Sequence, residues 1–293
     1  MLTLALTHDS LKISNGKWYW WSRGFGGHSA LDYLIRVKGM TFIEAMKILA
    51  DDGNMIQCDD ASRKQEQPNA DCKRLLLPEK SKNNCKIIFY LTGRGIDEDI
   101  IRACIDDGLI YESLPYHNCI FVGFDETGRA AYACYRATNG ERVMGDAAGS
   151  DKHYAFRINC AGSTLHVFES AIDLLSYATI MKMRTGEWKQ EPMLSLGGVY
   201  EPNKDPSKRR IPIALQNMLQ NHPKVTSIAL HLDNDAVGKA AAWAIEGLLR
   251  DKYNISYEPS PSGKDYNDYL QKLKQSRQMM REQSLTMTTC DKI

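Results

Sequence analysis

Residues 227–238 read Ser-Ile-Ala-Leu-His-Leu-Asp-Asn-Asp-Ala-Val-Gly, a mostly apolar segment that runs into two aspartates and a glycine. The apolar segment predicts a buried β-strand, and the alanine-rich residues after Gly238 predict a helix. If the strand continues through Asp233 and Asp235, both carboxylates point the same way, because side chains along a strand alternate with a period of two. They would then lie at the carboxyl edge of a parallel sheet, where open α/β folds bind ligands.

This pair of aspartates predicts a metal site. Two carboxylates held close together repel each other unless they share a proton or a cation. Carboxylate oxygens are typical ligands of hard divalent cations, so we expect Mg²⁺, or Mn²⁺ in its place.

The composition restricts the class of protein. The chain has 293 residues, of which 43% are hydrophobic, and a net charge of +1 at pH 7. This size predicts two or more domains, and the small net charge means that nucleic-acid binding would need local basic patches. The eight cysteines are scattered without a CxxC pair, so we expect no zinc. Without a signal peptide or an apolar run of about 20 residues, the sequence predicts a cytoplasmic protein that has no membrane partner.

Strands and helices alternate from about residue 163, which predicts an α/β domain with a parallel sheet. The predicted strands cover residues 165–168, 193–196, 227–235 and 255–257. The predicted helices cover residues 171–183, 213–219 and 239–252.

Glu169 lies at the end of the first of these strands, as Asp233 and Asp235 do at the end of the third. If the two strands are neighbours, the three carboxylates converge and can hold one or two Mg²⁺ ions, an arrangement suited to phosphoryl transfer. We therefore predict these three residues as catalytic and metal-binding. Asp173 would belong to the metal site, where it would orient Glu169 or a metal-bound water, or else it would only compensate the charge of a helix N-terminus.

Other strand ends carry weaker signals. Gly197 and Gly198 would let the backbone approach a phosphate, although a plain turn explains them equally well. Lys264 would contact a phosphate and Asp265 would add a metal ligand, against the alternative of a surface turn and a helix cap. A basic loop is either a phosphate contact or a solvated surface, and it contains Lys204, Lys208, Arg209 and Arg210.

The residues before the α/β domain predict smaller structures. A hairpin is indicated around Asn15–Gly16, followed by a glycine-rich loop at residues 22–28 and two helices separated at residues 38–40. Thr41 and Glu44 form a capping box at the start of the second helix. Residues 1–6 resemble a strand without a preceding turn, which suggests a domain cut at its start. The predicted segments are a hairpin and helix module (residues 1–55), a linker (56–74), a small, mostly antiparallel α+β subdomain (75–160), the α/β domain (161–275) and a polar tail (276–293).

Four stretches of the α/β domain, in order, resemble the motifs of a Toprim domain, the catalytic fold shared by bacterial primases, type IA and type II topoisomerases and some nucleases. They are Phe168-Glu169-Ser170-Ala171-Ile172-Asp173, Gly197-Gly198, Leu232-Asp233-Asn234-Asp235-Ala236-Val237-Gly238 and Lys264-Asp265-Tyr266-Asn267-Asp268. The resemblance covers residues 165 to about 273 and implies a Rossmann-like, mostly parallel four-stranded sheet. The first and last stretches look most similar to primase-like Toprim proteins of plasmids and conjugative elements of Gram-positive bacteria.

The two preceding segments also resemble parts of a primase. Residues 18–49 resemble the zinc-binding domain of bacterial primases, but the positions of the family's metal ligands hold Trp20, Trp21, Ser22, Arg23 and Gly24. This implies a degenerate zinc ribbon without metal, whose tryptophans pack in a core or stack on single-stranded bases. Residues 75–160 resemble the amino-terminal part of a primase core, which implies template or nucleotide contacts for Arg94, Arg136 and Lys152.

The resemblance implies a Mg²⁺-dependent, primase-like nucleotidyltransferase in the replication or transfer of a mobile element. Its partners would be single-stranded DNA, nucleoside triphosphates and a replicative helicase or relaxase. Glu169 would bind metal or act as general base on the primer hydroxyl. Two alternatives stay open: a Toprim nuclease, and a non-catalytic single-stranded-DNA-binding accessory. A topoisomerase would need a nucleophilic tyrosine on a further domain, for which the sequence has no room.

Overall fold

The computed structural model describes residues 11–14, 17–20, 25–27, 29–51, 74–199 and 201–290. The chain divides into two compact units, Met1–Asp71 and Cys72–Ile293. The predicted strand at residues 1–6, the hairpin turn at Asn15–Gly16 and all but the last residue of the predicted linker lie outside the described residues. Within the described part of the chain, no helix combines the length and the hydropathy that a membrane span requires.

The first unit contains a three-stranded antiparallel sheet and two helices. Its elements are β1 (Leu11–Ser14), β2 (Lys17–Trp20), β3 (Phe25–Gly27), α1 (Ala30–Arg36) and α2 (Phe42–Asp51). The pairing of β1 with β2 confirms the predicted hairpin. The predicted capping box also forms, because the Thr41 N–H donates to the Glu44 carboxylate (2.9 Å) and the Glu44 N–H donates to Thr41 Oγ1 (3.4 Å).

Strand β3 corrects the prediction of a glycine-rich loop at residues 22–28. It pairs with β2, and Gly27 lies opposite Trp18. A Cβ at Gly27 would lie 2.8 Å from Nε1 of Trp18, so this glycine leaves room for the indole rather than for a loop. Trp18 is 4% exposed and meets Tyr33 edge to face, with ring centroids 5.8 Å apart. Its role in core packing is confirmed, whereas the other tryptophan side chains of that run lie outside the described residues.

The second unit begins with a small α+β part. Its elements are α3 (Cys85–Gly93), α4 (Glu98–Asp106), β4 (Ile110–Glu112), β5 (Cys119–Phe124), β6 (Ala130–Arg136) and β7 (Met144–Asp146). The four strands form an antiparallel sheet in the order β4-β5-β6-β7. The α+β character predicted for this region is confirmed.

The remainder of the second unit is an α/β fold. Its elements are β8 (Arg157–Ile158), β9 (Thr164–Phe168), α5 (Ala171–Thr185), β10 (Met193–Ser195), α6 (Ile213–Asn221), β11 (Ser227–His231), α7 (Ala236–Leu249), β12 (Asn254–Tyr257) and α8 (Tyr266–Cys290). The sheet order is β12-β11-β9-β10-β8. The first four of these strands are parallel, which confirms the predicted sheet, and β8 adds an antiparallel edge strand beside β10.

The order of the sheet creates a switch point between β9 and β11. After β9 the chain crosses to β10 on one side, and after β10 it returns to β11 on the other side of β9. Open α/β sheets bind ligands in the crevice at the carboxyl ends of the strands at such a point. A ligand site in this fold is therefore expected at the residues that follow β9 and β11.

Helix α7 begins earlier than the predicted range of 239–252. It spans Ala236–Leu249, and Asp235 caps it by accepting a hydrogen bond at Oδ1 from the Gly238 N–H (2.9 Å). The prediction was wrong because it assigned Asp235 to the preceding strand. A carboxylate at an N-cap satisfies one of the helix's unpaired N–H groups, which accounts for the earlier start.

One hydrophobic core joins the α+β part to the α/β fold. Ile87 and Leu91 of α3, Phe121 of β5 and Phe168 of β9 belong to one cluster of buried side chains. Phe121 meets Phe156 edge to face, with centroids 5.4 Å apart. A separate cluster packs α6 and α7 against the sheet.

Two histidines connect the central strands inside the α/β fold. Nδ1 of His166 (β9) lies 2.8 Å from Nε2 of His231 (β11). Nδ1 of His231 lies 3.0 Å from both the Glu258 carbonyl oxygen and the Tyr266 hydroxyl. Because a carbonyl only accepts, we assign the His231 proton to Nδ1, which leaves Nε2 to accept from His166. Burial lowers the pKa of both histidines, that of His231 to about 3.

We expect His231 to make the protein sensitive to acid. A lowered pKa means that His231 stays neutral in the folded state while the unfolded state takes up a proton below about pH 6.5, so stability is lost as the pH falls from there towards 3. In urea unfolding at pH 5, 6 and 7, His231→Phe should flatten this loss by up to ~1.4 kcal/mol per pH unit. Identical pH dependence in the wild type and His231→Phe would contradict the assignment.

Candidate active site

The fold brings the predicted acids to one edge of the parallel sheet. Glu169 directly follows β9, Asp233 lies two residues after β11, and Asp235 caps α7. Strands β9 and β11 are adjacent and parallel, which meets the condition for convergence, and their last paired residues are Phe168 and His231. Glu169 and Asp233 therefore leave the sheet at neighbouring strand ends, at the switch point.

Strand alternation, the predicted reason for the alignment of Asp233 and Asp235, was wrong. Strand β11 ends at His231, so the period of two along a strand does not extend to Asp233 and Asp235. A tight turn positions them instead, and Gly238 allows it, since a Cβ there would lie 2.2 Å from the Asp233 carbonyl oxygen. The carboxylates nevertheless converge, because both contact Lys264.

Lys264 supplies the positive charge between the aspartates. Its Nζ lies 2.9 Å from Asp233 Oδ2 and 3.4 Å from Asp235 Oδ2. These contacts, above all the hydrogen bond to Asp233, raise the pKa of Lys264. The backbone holds the lysine in place, since the Asn234 N–H donates to the Lys264 carbonyl oxygen at 2.7 Å. The sequence predicted this lysine as a phosphate contact, and the structure places it on the two carboxylates.

The environments of the three acids separate their pKa values. Burial, with the nearby charge of Asp233, raises the pKa of Glu169 to about 7. Burial also raises the pKa of Asp233, although Lys264 opposes the shift. The pKa of Asp235 is lowered, first by the Gly238 N–H and then by Lys264. Acids with separated pKa values at one place are typical of sites that move protons, and Glu169 titrates near neutral pH.

The structure gives Asp173 and Asp265 helix-capping contacts. Asp173 is 6% exposed, accepts a hydrogen bond from the Ser170 hydroxyl and a longer one (3.4 Å) from the Asn267 N–H. Burial and the charge of Asp265 raise its pKa to about 7. Asp265 accepts from the Asp268 N–H at 2.7 Å. The contacts of Asp173 fit the alternative interpretation of a residue at the N-terminus of α5. Those of Asp265 fit the alternative of a cap of α8.

The predicted glycine pair lies beside Glu169. Gly197 and Gly198 follow β10 with φ values of 67° and 100°, and the Gly198 N–H donates to the Glu169 carbonyl oxygen at 2.9 Å. A Cβ at Gly197 would lie 2.8 Å from the Tyr132 hydroxyl. The turn thus packs between Glu169 and the α+β part.

Of the three predicted basic contacts, Arg94 is tied to the site through Asn267. Nη1 of Arg94 donates to Asn267 Oδ1 (3.1 Å), and Asn267 Nδ2 donates to the Arg94 carbonyl oxygen (3.0 Å). The same asparagine contacts Asp173 through its backbone N–H. Arg136 ends β6, and Lys152 lies after the antiparallel sheet, with Nζ 3.2 Å from Asp146 Oδ2.

Asn267 and Ser170, which contact Asp173, were missed as site residues from sequence. Asn267 is 3% exposed and stands within the Lys-Asp-Tyr-Asn-Asp stretch, so its position in that motif was the available signal. Its partner Arg94 is 173 residues away in the chain, a pairing that no local pattern predicts.

The residues suit a hard divalent cation, although a complete ion cage is not formed. In the parts of the chain that the structure describes, no group of three or more His, Cys, Asp or Glu side chains is arranged to hold a metal ion. Glu169, Asp233 and Asp235 nevertheless offer only oxygen donors, which Mg²⁺ prefers. A positive charge already lies on two of them, supplied by Lys264. The donor chemistry therefore fits Mg²⁺.

Comparisons with known proteins bear on this edge of the sheet. Residues 166–270 match a family model described as Toprim-like, and residues 89–162 match one described as a protein of unknown function, DUF3991. The chain is 26% identical to the uncharacterized protein pXO2-78 of Bacillus anthracis, over 94% of this chain and 82% of that protein. It is also 26% identical to a 65 kDa protein of Zymomonas mobilis, over 89% of this chain but only 45% of that longer protein.

A solved structure similar to this chain is the primase fragment of the bacteriophage T7 primase-helicase protein. The identity is 15%, the match covers 93% of each chain, and the TM-score is 0.45. The match to the Toprim-like family model is confined to residues 166–270. This range includes Glu169, Asp233, Asp235 and Lys264. This part of the chain is a Toprim-like domain.

Proposed function

We propose that the protein is a Mg²⁺-dependent, primase-like nucleotidyltransferase that joins nucleoside triphosphates on single-stranded DNA. The observation that supports it is the convergence of Glu169, Asp233 and Asp235 at the switch point of a Toprim-like domain. Carboxylates that hold Mg²⁺ serve phosphoryl transfer by positioning phosphates and neutralising their charge. The proposal includes the setting predicted from the sequence, replication or transfer of a mobile element beside a helicase or relaxase.

The residues of the site would divide the work. Asp233 and Asp235 would hold the cation, and Mg²⁺, when bound, would neutralise charge on the transferred phosphoryl group. Lys264, released from the two carboxylates, would be available to a phosphate. Glu169, whose pKa is about 7, would accept the proton of the attacking hydroxyl or bind the cation in its ionised form.

The test is synthesis of labelled primers on single-stranded DNA with all four ribonucleoside triphosphates and Mg²⁺. We expect products that disappear with EDTA and with Glu169→Gln, and that persist with Glu246→Gln, which changes an exposed acid on α7. Plasmid nicking without nucleotides would favour the nuclease instead. DNA binding that survives EDTA, without synthesis or nicking, would favour the non-catalytic accessory.

We expect Mg²⁺ to stabilise the protein more at pH 8 than at pH 6. Glu169 and Asp173 have raised pKa values of about 7, so the stability they contribute is complete below their unfolded values of 4.5 and 3.8 and is lost as the pH rises through 7. A bound cation offsets the repulsion that then develops. Melting temperatures with Mg²⁺ or EDTA at both pH values measure the effect. A Mg²⁺ shift that is the same at both pH values, or unchanged in Glu169→Gln, would contradict it.

A further inference from the structure

A cavity of about 330 Å³ lies between the loop that follows β10, the first turn of α6 and the middle of α7. Gly198 lines it, and the Gly198 N–H donates to the Glu169 carbonyl oxygen, so the cavity adjoins the site. None of the three acids of the site lines it. Its volume falls within the range of about 300–1,000 Å³ that is typical of small-ligand pockets.

One side of the cavity is strongly basic. Its lining includes one carboxylate, Glu201, and four cations, Lys152, Lys208, Arg209 and Arg210. Three of these cations, Lys208, Arg209 and Arg210, belong to the loop that precedes α6. The ion pair of Lys208 with Asp205 is weak, because the two groups lie 3.6 Å apart and both side chains are exposed. Such a side is suited to a ligand that carries several negative charges.

The two arginines keep most of their hydrogen-bonding capacity. Arg209 donates Nε to the Asn203 carbonyl oxygen (3.0 Å), and Arg210 donates Nη1 to the carbonyl oxygens of Ser207 (3.0 Å) and Arg209 (2.9 Å). Among the described residues, their other N–H groups have no hydrogen-bond acceptor. Each guanidinium has five N–H donors, so both can bind a phosphate.

The apolar side of the cavity is formed by Leu196 and by two residues of α7, Ala244 and Ile245, each less than a tenth exposed. Helix α6 starts at the cavity with Pro212 as its N-cap, and no side chain accepts from its first N–H groups. The positive end of the helix dipole therefore adds to the basic side rather than opposing it.

We propose that this cavity is a second nucleotide site, which binds a nucleoside 5′-triphosphate with its phosphates on the loop cations and its base on the apolar side. A ligand with one flat apolar part and one polyanionic part matches both sides at once, whereas a bare anion matches only one. The choice of a triphosphate rests on the proposed function. This site would be separate from the one where transfer takes place, because Glu169, Asp233 and Asp235 do not line the cavity.

Equilibrium binding of ATP to the full chain in EDTA tests the site without metal at the carboxylates. We expect the double variant Lys208→Gln/Arg210→Gln to raise the Kd at least about tenfold. Lys204→Gln is the matched control, because Lys204 is an exposed cation of the same loop that does not line the cavity, and it should leave the Kd unchanged. Ala244→Phe should fill the apolar side, abolish ATP binding and leave binding of inorganic tripolyphosphate intact. Melting temperatures equal to that of the wild type establish that each variant is folded.

Each outcome bears on one proposal. ATP binding that is unaltered in the double variant overturns the nucleotide site, as does tripolyphosphate binding as tight as that of ATP. ATP binding with the expected variant effects, but without primer synthesis, overturns the proposed function and leaves the nucleotide site standing.

Discussion

Asp233→Asn is expected to lower metal-dependent synthesis by about 10³-fold, equivalent to about 4 kcal/mol of transition-state stabilisation. Asp233 is 7% exposed, and its Oδ2 lies 2.9 Å from Lys264 Nζ. The amide keeps the shape of the side chain but removes the charge that a cation requires. Because burial raises the pKa of Asp233, the charged form is costly in the folded protein, so the variant should melt no earlier than the wild type.

The combination of lost activity and retained stability distinguishes a functional acid from a structural one. Asp251→Asn, which changes an exposed aspartate just after α7, should leave both activity and melting temperature unchanged. Synthesis by Asp233→Asn at more than about a tenth of the wild-type rate would refute the assignment of this acid to the site.

Gly238→Ala is expected to lower the free energy of unfolding by roughly 3 kcal/mol and to abolish activity as well. The new Cβ would lie 2.2 Å from the Asp233 carbonyl oxygen, a contact with backbone that no side-chain movement relieves. The turn between β11 and α7 would have to open, which would move Asp233 and Asp235 apart. Chemical denaturation and the primer assay measure the two effects.

The same helix offers the matched control. Gly247 also lies in α7, but a Cβ there meets no atom within 4 Å. Gly247→Ala should therefore raise stability by about 0.5–1 kcal/mol, the usual gain when alanine replaces glycine inside a helix. If Gly238→Ala and Gly247→Ala changed the free energy of unfolding by the same amount, helix propensity rather than the tight turn would account for the effect of Gly238→Ala.

The sequence predicted the sheet better than the local geometry of the site. Strand and helix alternation indicated the parallel sheet, because such connections have few allowed arrangements, whereas the adjacency of β9 and β11 was only a condition of the predicted site. The end of β11 was misplaced, since an apolar run does not show where hydrogen bonding to a neighbouring strand stops. The position of Lys264 between two carboxylates, and the pairing of Arg94 with Asn267, depend on contacts between distant segments.

Glycines gave misleading signals in one place and useful ones in another. The glycine-rich residues 22–28 indicated a loop, although Gly27 lies in β3 to make room for the Trp18 ring. Gly238, the residue before the predicted helix, does relieve the turn between β11 and α7, because a Cβ there would lie 2.2 Å from the Asp233 carbonyl oxygen. The difference is that a turn is local, whereas the space that an indole requires comes from a partner strand.

The core shared by α3, β5 and β9 has a consequence for how the protein can be divided. Ile87 and Leu91 on one side and Phe168 and Leu174 on the other are buried together, and β8 continues the chain directly into the edge of the parallel sheet. Residues 74–290 should therefore melt in a single cooperative transition. A gene fragment that begins at residue 161 would yield a protein with an exposed apolar surface that aggregates, so transplanting the carboxylate site into another protein requires the preceding α+β part as well.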